Sequence, residues 1–123
     1  MKKLDSFCID DRRTIKEATS VIQSNLSRCA VVLNVDRKVI GVFSEGDVLR
    51  AILQDINLYT PLKNIVSPTF HYLNQHDVLK AYQLVKKYGI TLVPIINDKF
   101  VLKSVITIFD VMEHLAFIND TNS

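Results

Sequence analysis

Ser44-Glu45-Gly46-Asp47 and Thr107-Ile108-Phe109-Asp110 each place a hydroxyl three residues before a carboxylate, behind an apolar run and ahead of another. Where a strand ends and a helix opens, such a hydroxyl lies beside backbone N–H groups with no intrahelical acceptor, at the positive end of the helix dipole. That environment suits a phosphate or another anion. A carboxylate one turn in is an acceptor-only group able to take both hydroxyls of a ribose, and it repels phosphate. A ligand would then lay its sugar on the aspartate and carry its phosphate a few ångströms away. The same pattern is also an N-cap with an acidic partner, each worth about 0.5–2 kcal/mol. The two roles can coexist.

The elements that must position these residues repeat. Asp47 and Asp110 are 63 residues apart, and the same offset pairs Phe7 with Phe70, Ala18 with Ala81, Asn34 with Asn97 and Val42 with Val105, without a gap. Two copies of one unit is the reading. Thr14-Ile-Lys-Glu17 is a capping-box pattern, followed by Ile15, Ala18, Val21 and Ile22 at helical spacing. Asp77 opens the matching helix and Gly89 suits its end. The β-branched runs Cys29–Leu33 and Leu92–Ile96 predict buried strands, with turns at 36–38 and 97–99 and second strands over 39–43 and 101–106. Closing helices follow from Ser44 and Thr107, their amphipathic parts at 48–53 and 111–117. An extended piece around Phe7 and Phe70 precedes each copy.

At 123 residues, with 48% hydrophobic and 23% charged, the chain is globular, and a net charge of +2 with interleaved signs argues against nucleic acid. Its mean hydropathy of +0.16 is high for so small a chain and predicts self-association. No apolar stretch reaches the ~20 residues of a membrane span, and the early Asp5 interrupts any secretory core, so the cytoplasm is expected. Cys8, Cys29, His71, His76 and His114 lack metal or catalytic spacing. Only Gly41, Gly46 and Gly89 occur, so no glycine-rich phosphate loop exists. No enzyme activity and no required cofactor are expected.

The helix–strand–strand–helix layout ending in Gly-apolar-x-Ser/Thr-x-x-Asp resembles the CBS domain, and two tandem copies resemble a Bateman module. The likeness covers residues 5 to 117. It implies an α/β (α+β) fold of two pseudo-twofold-related βαββα-type repeats, at 1–60 and 61–118, with small sheets packed between helices and a polar tail at 119–123. It further implies a regulatory, nucleotide-binding role, with AMP, ADP, ATP or a related adenosine ligand in clefts between the repeats, and commonly a homodimer. Carried over, Thr107 and Asp110 would face Arg28, Cys29 and Ala30, and Ser44 and Asp47 would face Thr91, Leu92 and Val93. Arg28 is then a phosphate ligand or a surface arginine ahead of a strand, with Arg50 reaching the other cleft. Ser104, Phe109 and Asp77 stand in the second copy where the first has Gly41, Gly46 and Thr14, and Phe109 would stack on a base or plug a cleft mouth. A ligand-free dimerisation pair is the alternative. The run from Ser44 to Ala51 followed by Leu58 to Ile65 also resembles CBS pairs fused to bacterial sugar-phosphate nucleotidyltransferases, which would make the chain the regulatory part of such an enzyme.

Overall fold

The structure, a computed structural model, describes residues 3–122, with side chains as far as residue 118. After a 3-10 turn at Leu4–Phe7, the first copy contributes β1 (Cys8–Asp10), α1 (Ile15–Ser24), β2 (Cys29–Leu33), β3 (Val39–Ser44) and α2 (Glu45–Leu53). The second contributes α3 (Val78–Tyr88), β4 (Leu92–Ile96), β5 (Leu102–Thr107) and α4 (Ile108–Asn122). The fold is α+β, as the repeat implies.

Each helix begins where its polar residue dictates. Thr14 caps α1 in a capping box with Glu17, and the Asp77 side chain accepts the Lys80 N–H to start α3. Gly89 ends α3 at a φ of 67°, the left-handed geometry a glycine adopts freely. α4 continues to Asn122, through the polar residues expected to form a tail. Once a helix is nucleated each further residue adds a hydrogen bond at low cost, which outweighs the weak helix preference of Asn and Asp.

One sheet has the order β1-β2-β3, with β1 parallel and β3 antiparallel to β2; the other pairs β4 with β5 antiparallel. Where β1 would recur in the second copy, a single parallel bridge joins Leu73 to Ile95. Side-chain alternation along each strand sets the layers. Ala30, Val32 and Phe43 face α1 and α2, while Val93, Ile95 and Ile106 face α3 and α4. Cys29, Val31, Leu33 and Val39 meet Leu92, Ile96 and Val105 in a core between the two sheets, which Phe7 and Phe70 join. β2 and β4 are buried on both faces for this reason. Leu58, Leu62, Ile65 and Val66 pack on the first copy's core, so the chain leaves that core only beyond residue 66. Gly41 permits that approach: a Cβ there would lie 2.7 Å from the Ser67 carbonyl oxygen and from the Val66 Cγ2. Ser104 has no such constraint and bonds His76 Nδ1 at 3.0 Å.

The turns repeat to the atom. Asn34 Oδ1 accepts the N–H groups of Asp36 and Lys38, and Asn97 Oδ1 those of Lys99 and Val101. Arg37 and Phe100 both take positive φ, at 62° and 63°, and the two turns touch through Val39 N–H on the Phe100 carbonyl at 2.8 Å. Leu26 occupies the left-handed position that Gly89 holds in the second copy, at a φ of 63° and 71% exposed. A non-glycine residue there costs roughly 1–2 kcal/mol, against about 0.5–1 kcal/mol for a glycine's extra chain entropy. Leu26→Gly is therefore expected to raise the melting temperature by a few degrees in calorimetry, the leucine losing little packing.

Candidate ligand-binding site

Ser44 ends β3 and caps α2. Its Oγ accepts the Asp47 N–H at 3.2 Å and donates to Asp47 Oδ2 at 3.0 Å, and its own N–H reaches the same carboxylate oxygen at 2.8 Å. Thr107 and Asp110 repeat the arrangement at 2.8, 3.0 and 3.2 Å. The capping role is thus realised in both copies. The second oxygen of Asp47, Oδ1, accepts Arg50 Nη2 at 2.8 Å.

Ser44, Gly46, Asp47 and Arg50 line one side of a cavity of about 540 Å³, and Thr91, Leu92, Tyr88 and His71 line the other. The volume is that of a small-molecule site. Arg28 and Cys29 also border it, so seven of the residues singled out in the sequence as ligand contacts, Arg50 included, come together. Ala30 and Val93 do not, because both are fully buried. Their neighbours Cys29 and Leu92 face the inter-sheet side, and alternation turns Ala30 and Val93 toward the helices.

Arg50 borders the cavity of Ser44 and Asp47, where it was expected, and Arg28, expected beside Thr107 and Asp110, borders both that cavity and a groove that Ile108 and Phe109 line. Arg28 has a positive φ of 58°, and its carbonyl accepts the Glu45 N–H at 3.0 Å, which fastens it to the start of α2. Neither Thr107, which is buried, nor Asp110 lines this cavity. Phe109 was expected beside a cleft mouth. It borders an apolar groove of about 680 Å³ with Ile22, Leu26, Val48 and Met112, and this groove shares Arg28, Glu45 and Thr91 with the cavity. The position tolerates a large side chain, since a Cβ at the matching Gly46 would meet only Ser44 Oγ, at 3.6 Å.

Sequence reasoning missed the His71–Tyr88 stack in the cavity wall, with ring centroids 3.9 Å apart and planes at 22°. The alignment of Phe7 with Phe70 and the stop at Gly89 mark those segments in the sequence, but not their meeting. Burial, reinforced by the negative charge of Asp47, pushes the Cys29 thiol up to about 12, and burial pushes Cys8 up to about 11, so neither is a nucleophile at neutral pH. Among the described residues no group of three or more His, Cys, Asp or Glu stands where a metal ion could be held. No helix among them is long and apolar enough to cross a membrane.

The model of the CBS domain family matches residues 1–54. Over 95% of its length the chain also superimposes on a CBS domain protein from Pyrobaculum aerophilum, solved in complex with AMP, at a TM-score of 0.75 and 25% identity, covering 95% of that chain. The first copy matches the CBS domain family, and the whole chain has the fold of a CBS domain pair. A CBS domain pair/ACT domain protein from Thermotoga maritima shares the fold at a TM-score of 0.73 and 20% identity, over 94% of this chain and 93% of that one. Among curated proteins, the pair is 27% identical over 94% of its length to a homoserine O-acetyltransferase from Methanobrevibacter ruminantium. It is 26% identical over 87% of its length to an A-adding tRNA nucleotidyltransferase from Aquifex aeolicus. It spans only 23% and 13% of those two proteins.

Proposed function

We propose that this CBS pair is a non-catalytic, cytoplasmic regulatory module that binds an adenosine nucleotide in the cleft of Ser44 and Asp47. The observation that carries the reading is the convergence, in one cavity, of a ribose-type acceptor, two guanidiniums and apolar walls. Asp47 would take the sugar hydroxyls, Arg28 and Arg50 the phosphate, and the strand ends at Cys29 and Leu92 a flat purine. The Pyrobaculum aerophilum relative, solved with AMP, supports the ligand class. Among the described residues no carboxylate beyond Asp47 and Glu45 lines the cavity to hold a magnesium ion, which favours one or two phosphates over a metal-bound triphosphate.

Titration calorimetry tests the reading. AMP or ADP is expected to bind at least as tightly as ATP, without magnesium. No heat with any adenine nucleotide, and none released from freshly purified protein in mass spectrometry, would favour the ligand-free pair instead. The exposed Leu49, Ile52 and Leu53 of α2 and Phe109, Met112 and Phe117 of α4 support a homodimer through these helices in either case. The longer enzymes among the relatives support a regulated catalytic domain, fused or associated. A sugar-phosphate nucleotidyltransferase is the partner that the run from Ser44 to Ile65 favours.

A further inference from the structure

We infer that Glu45 limits how many phosphates the cleft accepts, an inference that rests on the adenosine-nucleotide reading. The two arginines of the cavity are not equivalent. Arg50 is hydrogen-bonded to Asp47 Oδ1 at 2.8 Å, whereas Arg28 Nε stands 3.9 Å from Glu45 Oε2, beyond hydrogen-bonding length. Arg28 is therefore the guanidinium freer to turn to a phosphate, and Glu45 is the anion that competes for it. Glu45 cannot withdraw as a whole, because its N–H is bonded to the Arg28 carbonyl at 3.0 Å and it is the first residue of α2. The cavity's formal charges, Arg28 and Arg50 against Glu45 and Asp47, cancel. Each phosphate beyond the first adds repulsion from Glu45 with no further guanidinium to offset it.

The carboxylate is not required by the helix start. Asp47 completes the capping box of α2, and in the second copy, where Asp110 makes the matching bonds, the position of Glu45 is held by Ile108. Glu45 is also 55% exposed, so its field is screened by salt.

The test is calorimetry of E45Q, and of E45I, which copies the second repeat, with adenosine, AMP and ADP in low salt without magnesium. For one charge removed at several ångströms near a surface, AMP is expected to gain about threefold, ADP about tenfold, and adenosine less than about twofold. The gains should shrink at about 0.5 M salt. If all three ligands gain equally, or ADP gains nothing while the parent binds it, Glu45 is not the selector and the nucleotide reading survives. A parent protein that binds none of the three overturns both.

Discussion

Asp47→Ala is expected to weaken AMP by about 10- to 100-fold, while Asp110→Ala leaves that affinity within about twofold. The magnitude follows from losing a charge-assisted hydrogen bond in a partly enclosed site, about 1.5–3 kcal/mol. The contrast follows from the structure. Both aspartates close a capping box with the same three distances, so both substitutions should lose about the same capping contribution, roughly 1 kcal/mol. Only Asp47 lines the cavity with Arg28, Arg50 and Thr91. Asp110 thus serves as an internal control for damage to the fold. Calorimetry for affinity, paired with melting temperatures for both variants, separates the effects. Equal losses of AMP affinity at the two positions would remove the ribose role and leave Asp47 a helix-start residue.

Arg28→Ala is expected to weaken AMP by about tenfold and to leave adenosine nearly unchanged. A guanidinium–phosphate contact is among the stronger polar interactions, and its removal also leaves the Glu45 carboxylate without its neighbouring cation in the cavity. Because Arg28 takes a positive φ, Ala keeps the backbone cost of a side chain there, and Arg28→Gly is the variant that relieves it. The two should agree in nucleotide binding and differ in melting temperature. Equal losses for adenosine and AMP would show that Arg28 supports the cleft wall and does not contact phosphate. A strong magnesium-dependent preference for ATP in the parent would overturn the phosphate assignment itself.

The repeat, the order of elements, the caps at Thr14, Ser44, Asp77 and Thr107, and the polar turns at 36–38 and 97–99 were all legible in the sequence. These features depend on residues within a few positions of one another, and local hydrogen bonding and apolar period fix them wherever they occur. The third strand was less legible. The lead-in near residue 8 pairs along β2 for three residues, whereas its counterpart makes one bridge at Leu73, a difference that arises only once the second sheet edge is in place. Nor does any local signal announce that Leu26 will adopt the conformation of a glycine, since its own preference opposes it and the closed unit imposes it. The candidate site divides in the same way. Its hydroxyls and carboxylates were visible as spaced motifs. That Ala30 and Val93 turn inward, and that Arg28 and Arg50 meet in one cleft, was decided by the packing of two sheets face to face. Period two establishes that neighbouring side chains point oppositely, and tertiary packing decides which side holds the core and which the cleft.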